Sequence, residues 1–174
     1  MVAAFETFET ERLMLRPFQE SDAPVQRQLW TERDVRVPAH RKIDADGHPT
    51  VDDITQWIRG ERRRSGPRLL ALVRKDTGDV IGYCGFVFHG NGAADEPEIA
   101  FELVQAVHGR GYATEAARAV VAWADAAGYR RLWATVRDWN AASRRVLARL
   151  GFDETGEIEP DEVHGDSLLT VREH

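Results

Sequence analysis

The chain has one cysteine in 174 residues, Cys84, which excludes an internal disulfide and leaves no second thiol to share a metal. Set in an apolar strand-like run, that thiol is expected to be a buried small hydrophobe, and no metal site is expected. No apolar run approaches the roughly 20 residues of a membrane span. The opening Met-Val-Ala-Ala-Phe-Glu-Thr-Phe-Glu lacks the basic and apolar regions of a signal peptide, so a cytoplasmic protein with no membrane partner is expected. An excess of positive charge is also missing. The net charge of -6 argues against a nucleic-acid partner, and the local basic run Arg59-Gly60-Glu61-Arg62-Arg63-Arg64 reads as a solvated face. There are no internal repeats or low-complexity segments, and the length suits one domain over residues 1-174 with a full core.

What is present centres on Glu98 to Ala124. From 98 to 104, Ile99, Phe101 and Leu103 alternate with Glu98, Ala100 and Glu102, the period of a strand. From Ala113 the apolar positions change to Ala113, Ala116, Ala117, Val120, Val121 and Ala124, one stripe of a helix whose small residues allow close packing on a sheet. Between the two lies His108-Gly109-Arg110-Gly111-Tyr112-Ala113. A glycine turn entering a helix presents unpaired amides and the positive end of the helix dipole, a place where a pyrophosphate can sit, or it simply joins strand to helix. No lysine follows the glycines, which excludes a P-loop. The dinucleotide fingerprint wants a small residue where Thr114 stands.

The rest reads in order. Glu11 to Phe18 is a strand closed by Pro17, and Ser21-Asp22 offers an N-cap for a helix with Pro24 in its first turn and Val25, Leu29 and Trp30 on its apolar side. Val35 to Pro49 is a loop. Thr50-Val51-Asp52-Asp53 begins a second helix with Ile54, Trp57 and Ile58 as its buried stripe. Arg68 to Lys75 and Val80 to His89 are strands joined by the hairpin turn Asp76-Thr77-Gly78-Asp79, and Asn91-Gly92 with Pro97 marks a loop. Leu132 to Val136 is a short buried strand. Asn140 caps a helix with Val146, Leu147 and Leu150 inward and Gly151 at its end, which places Ser143 on the inward stripe. From Asp153 to Asp166 seven acids occur without a lysine or arginine, the composition of a solvated loop, or of a surface that draws a cationic amine if it lies beside an acceptor site. Ser167 to Val171 closes the chain as a strand.

Four stretches together resemble the GNAT acetyltransferases. The turn from His108 to Ala113 is similar to the family's acetyl-CoA loop, Gln or Arg, two residues, Gly, one residue, then Gly or Ala, with His108 where the family usually has Gln or Arg. Thr10 to Pro17 resembles the opening strand of the ribosomal-protein N-terminal acetyltransferase (RimJ/RimL-type) branch, Ile81-Gly82-Tyr83-Cys84-Gly85-Phe86 its third strand, and Asn140-Ala141-Ala142-Ser143 with Leu150-Gly151-Phe152 its last helix and following strand. The resemblance implies an α/β (α+β) fold, a mixed sheet of about six to seven strands with about four helices, in which two central parallel strands splay apart and hold the pantetheine arm. It implies acetyl-CoA as cosubstrate, bound by Leu103, Val104, His108, Gly109, Arg110, Gly111, Tyr112, Ala113, Thr114, Asn140 and Ser143. The first two helices and their loop would wall the acceptor site, with Trp30, Trp57, Tyr83 and Glu102 as substrate contacts and His40 and His48 as further candidates.

The chemistry so implied is transfer of an acetyl group to a primary amine, of a protein N-terminus or else of a small molecule such as an aminoglycoside, polyamine or amino acid. A homodimer is compatible with it. A third reading, from another class, is a non-catalytic module that senses acetyl-CoA. Amines are mostly protonated at neutral pH and only the free base attacks, so a carboxylate within reach is needed. Glu98 and Glu102 share one strand face about 13 Å apart, too far to share a proton. Glu98 matches the strand glutamate that acts as base in some family members, while Glu102 lies nearer the cofactor loop. An amide near Leu103 would hold the developing oxyanion, and Ser143 would give the departing thiolate a hydrogen bond.

Overall fold

A computed structural model describes residues 4–88 and 95–174. Its frame is one sheet, assembled from hairpins that the sequence encodes locally. Leu69–Arg74 (β3) and Val80–Val87 (β4) form the expected antiparallel pair, with Gly78 taking the positive φ of 77° that the turn requires. Leu13–Arg16 (β2) pairs with β3 and ends at Pro17, which has no amide to continue the ladder. Two residues, Phe8–Glu9 (β1), add an outer strand, and Glu98–Leu103 (β5) pairs antiparallel with β4 on the other side. Gly82 of β4 is required by this register, since a Cβ there would lie 2.1 Å from the Glu102 carbonyl oxygen.

The second half adds Arg131–Arg137 (β6), Asp153–Glu159 (β7) and Ser167–Glu173 (β8). The eight strands run in the order β1-β2-β3-β4-β5-β6-β8-β7, antiparallel throughout except between β5 and β6. The expected mixed sheet is therefore present, with the short β1 and the edge strand β7 bringing the count to eight. β7 is the strand that the resemblance places after the last helix, and it corrects the solvated loop that the acidic composition of the segment suggests. Each of its seven residues is exposed, so the strand is held by backbone pairing with β8 and leaves no apolar alternation to read.

Four helices cover the sheet: Ala23–Glu32 (α1), Val51–Glu61 (α2), Tyr112–Ala127 (α3) and Ala141–Arg149 (α4). The alanine stripe of α3 works as expected, with Ala116, Ala117, Val120 and Ala124 fully buried against the sheet. Phe86, Ile99, Leu132 and Leu147 share the main core with them, while Phe18, Ile54, Ile58 and Ala71 form a smaller cluster under α2. Thr50 caps α2 in a reciprocal box with Asp53, and Asn140 caps α4 by accepting from the Ser143 amide at 3.1 Å. Asp22 stands at the N-cap of α1 as expected, but its side chain does not cap that helix: the carboxylate, 2% exposed, accepts two bonds from Arg16 and one from the Gln19 amide, closing a single turn at Glu20–Asp22 ahead of α1. Trp57 is corrected too: Ile54 and Ile58 are buried, but Trp57 is 43% exposed at the margin of the stripe. The loop read from Asn91-Gly92 and the strand end at His89 lie outside the described residues. Among the described residues, no helix is long and apolar enough to cross a membrane.

Candidate functional site

The parallel pair at the centre separates almost as soon as it forms. β5 and β6 are in register at Glu98 and Trp133, where the Trp133 amide donates to the Pro97 carbonyl at 3.0 Å, and no further pair follows. The next amide of β6 on that side, Thr135, donates instead to the Glu98 carboxylate at 3.0 Å. A side chain thus replaces the missing ladder bond at the vertex of a V. Further along β5, the Val104 amide donates to Ile81 on β4, so strand alternation turns the amides of Phe101 and Leu103 toward the open gap.

The wide end of the gap faces the glycine turn. A single turn at Gln105–Val107 leads to His108, then Gly109 and Gly111 adopt φ of 73° and 82° and α3 begins at Tyr112. The first backbone bond of the helix is from Glu115 to the Gly111 carbonyl, which leaves the amides of Tyr112, Ala113 and Thr114 without intrahelical acceptors. A Cβ on Gly109 would meet nothing within 4 Å, so this surface is open to a ligand. The Tyr112 and Thr114 side chains are buried beneath it. His108 does not extend over the turn. Its Nε2 bonds the Leu103 carbonyl at 2.7 Å, tying the turn to the end of β5, so its side chain braces the loop and the backbone amides are left to face an anion.

One contributor has no local sequence signal. Arg12, from the segment before β2, donates to Glu115 and to the Arg110 carbonyl and stacks 4.4 Å from the centre of the Tyr112 ring. Glu115 also accepts from the Thr10 hydroxyl. Burial pushes the Glu115 carboxyl up, but those bonds outweigh it and hold its pKa below the ordinary value. On the opposite arm of the gap, Asn140 and Ser143 lie together at the start of α4, where the Asn140 side-chain oxygen is already committed to the cap.

The two strand glutamates have different surroundings. Glu102 accepts two bonds from Arg33, at 2.8 and 2.7 Å, and one from the Tyr83 hydroxyl at 2.9 Å. Burial alone raises its pKa, but the Arg33 bonds and charge, with the Tyr83 hydroxyl, more than reverse that and hold it below the usual value. The Tyr83 phenol is pushed well above its ordinary value, first by burial and then by the Glu102 charge. Arg33 also bonds the Arg41 carbonyl and stacks on Trp30, so this network fastens the end of α1 and the following loop to β5. Glu98 makes only the bond to Thr135, with no ion pair among the described residues.

Between α1, α2, their joining loop and the sheet is a cavity of about 650 Å³. Trp30, Trp57, Tyr83, His40 and His48, all expected near an acceptor site, line it, and His48 pairs with Asp53. Glu102 stands behind its Tyr83 and Arg33 wall. Sequence reasoning missed Gln26 and Arg33, because a polar residue on a helix signals nothing until its neighbours are known. Three loops meet at the segment that joins α1 to α2: the Arg36 guanidinium stacks 4.1 Å from the Trp139 ring, Trp139 donates to the His164 carbonyl, and the His164 ring bonds the Arg36 carbonyl. The loop after the acidic strand therefore reaches the segment between α1 and α2, while Asp161 of that loop pairs with Arg137 and Glu154 of the strand pairs with Arg144.

Comparison with known proteins agrees with this geometry. The model of the acetyltransferase (GNAT) domain matches residues 12–153. The chain is 30% identical to the Uncharacterized N-acetyltransferase p20 of Bacillus licheniformis, over 95% of this chain and 93% of that protein. Among solved structures, an acetyltransferase from Agrobacterium tumefaciens superposes with a TM-score of 0.70 at 27% identity, covering 100% of this chain and 98% of that one. RimJ of Mycobacterium smegmatis, solved in complex with CoA-disulfide, does so with a TM-score of 0.65 at 26% identity, covering 92% and 81%.

Proposed function

The chain belongs to the GNAT acetyltransferase family and is an acyltransferase, and from that premise we propose that it moves the acetyl group of acetyl-CoA to the primary amine of a polypeptide N-terminus in the cytoplasm. The observation that carries this reading is the gap between β5 and β6, with helix-mouth amides at its wide end and a carboxylate at its vertex. The residues fit the cosubstrate: the amides of Tyr112, Ala113 and Thr114, with the open surface at Gly109, suit a diphosphate, and the gap suits an extended arm. When bound, acetyl-CoA supplies an acyl carbon joined to a thiol leaving group.

Glu98 takes the proton that the ammonium must lose before nitrogen can attack, directly or through one water. The C–N bond forms as the C–S bond breaks, giving an N-acetyl amide and a free thiol. The Leu103 amide meets the charge that develops on the acyl oxygen, and the Ser143 hydroxyl donates to the leaving sulfur. Glu102, fixed by Arg33 and Tyr83, holds the acceptor wall in place. A polypeptide acceptor is supported by the similarity of Thr10 to Pro17 to the ribosomal-protein branch. A small-molecule amine is favoured by one feature, the cavity beside β4, whose volume is in the range that holds a whole small ligand.

The test is release of free thiol from acetyl-CoA by the purified protein with short peptides and small amines, with mass spectrometry of the products. Peptides that gain one acetyl group on the α-nitrogen are expected. Calorimetry that finds no affinity for coenzyme A in well-folded protein would overturn the proposal.

A further inference from the structure

We infer that the acceptor carries, next to its amine, an aromatic ring bearing an oxygen, which seats between Trp30 and Trp57 with that oxygen on the Gln26 amide. This rests on the transferase reading and narrows its substrate. The cavity is far larger than an alanine or serine side chain needs. Its walls are flat: the Trp57 ring is held from one side by Phe18, edge to face at 5.4 Å, and the Trp30 ring by the Arg33 guanidinium at 4.2 Å. Each indole is fixed by a protein partner while still lining the cavity, so each offers a ligand a rigid aromatic surface. Ile54, Leu69 and Pro49 add apolar surface.

Gln26 breaks the apolar lining. It is 5% exposed, its side chain makes no hydrogen bond among the described residues, and its amide nitrogen is shut away from water without an acceptor. Folded proteins seldom leave a buried donor in that state. An oxygen of a ligand in the cavity that reaches this nitrogen would satisfy it. The position also suits an acceptor, because Tyr83 and Arg33 line the cavity and hold Glu102 of β5, the strand that bounds the gap. An amine at the gap can thus keep its side group in the cavity. A tyrosyl N-terminus and a free phenolic arylalkylamine share this chemistry.

The experiment measures free-thiol release with acetyl-CoA and two matched series: Tyr-, Ala- and Ser-Gly-Gly-Gly peptides, and tyramine, phenethylamine and propylamine. The aromatic member of each series is expected to exceed its small counterpart at least about tenfold in kcat/KM. Which series is faster identifies the source. Gln26→Leu should lower the tyramine-to-phenethylamine ratio about tenfold, and Trp57→Ala the phenethylamine-to-propylamine ratio, with acetyl-CoA affinity by calorimetry confirming that both variants fold. Equal or better turnover of Ala-Gly-Gly-Gly and propylamine would overturn the inference and leave the transferase reading standing. An unchanged tyramine ratio in Gln26→Leu would also overturn it. Failure of every amine to release thiol, despite bound acetyl-CoA, would overturn the transferase reading and this one together.

Discussion

Replacing Glu98 with Gln isolates the proton-transfer step, because the change removes a charge and keeps an oxygen that can still accept from the Thr135 amide at 3.0 Å. The vertex of the gap therefore keeps its brace, and the loss of stability should stay below about 1 kcal/mol. The kinetic loss should be much larger, since a positioned base is worth roughly 10²- to 10⁴-fold. Its size depends on the acceptor. An α-amine with a pKa of about 7.8 is already about one-seventh free base at pH 7, whereas an alkyl amine near 10.4 is only about one part in 2,500. Raising the pH from 7 to 9 should thus restore the variant about sevenfold with an α-amine acceptor and about 100-fold with an alkyl amine. Steady-state thiol release at saturating acetyl-CoA measures both numbers. A variant within twofold of the parent at pH 7, or one whose deficit does not change between pH 7 and 9, would refute the assignment of Glu98 as base. Glu98→Ala should be worse for a separate reason, because Thr135 then loses its acceptor where β5 and β6 part.

Arg33→Ala strands the mostly buried Glu102 carboxylate and should cost about 2 to 3 kcal/mol in urea unfolding at pH 7, discounted from a fully buried pair because Glu102 is 22% exposed. The sign with pH follows from the lowered pKa: in the parent this carboxylate stabilises above its unfolded value and that contribution is lost as pH falls through the folded one, so the gap between parent and Arg33→Ala should narrow in acid. Gly111→Ala forces a φ of 82° on an L-residue and should weaken coenzyme A about tenfold by calorimetry, whereas Gly128→Ala, with a φ of 86° at the other end of the same helix, should lower Tm and leave that affinity unchanged. Ser143→Ala should reduce kcat less than tenfold in the thiol-release assay, because a thiol with a pKa of about 8.5 needs little help to leave near neutrality.

The features legible in the sequence are those whose cause lies within a few residues. The α3 stripe, the turn at Gly78, the cap at Thr50 and the cap at Asn140 each depend on neighbours three or four positions away. The parting of β5 from β6 was expected only through resemblance, since it depends on which acceptor the Thr135 amide finds, and that acceptor is 37 positions distant. Arg12 is hidden for the same reason, its carboxylate partner lying 103 positions away. β7 is legible only through the resemblance, which places a strand after the last helix. An edge strand with no buried face has the composition of a loop, and its pairing with β8 is what holds it. Trp57 shows the limit of periodicity itself, because positions three and four apart share a helix face but not a depth, and the residue at the margin stays 43% exposed while Ile54 and Ile58 are buried.

Glu98 and Glu102 carry the same side chain on the same face of one strand, and sequence treats them as near equivalents. Their partners separate them. Arg33 and Tyr83 saturate Glu102, and a carboxylate that holds a cation and a phenol so tightly is a poor proton acceptor. Its part in the fold is mechanical, since the same Arg33 reaches the Arg41 carbonyl and the Trp30 ring and so pins the wall of the cavity to the strand that bounds the gap. Glu98 accepts a single amide bond and has no ion pair among the described residues. The order of strands decides this division. β4 supplies Tyr83 opposite Glu102, whereas on the β6 side Glu98 meets a backbone amide, so one carboxylate is saturated by a cation and a phenol and the other keeps the single bond that suits the base proposed above.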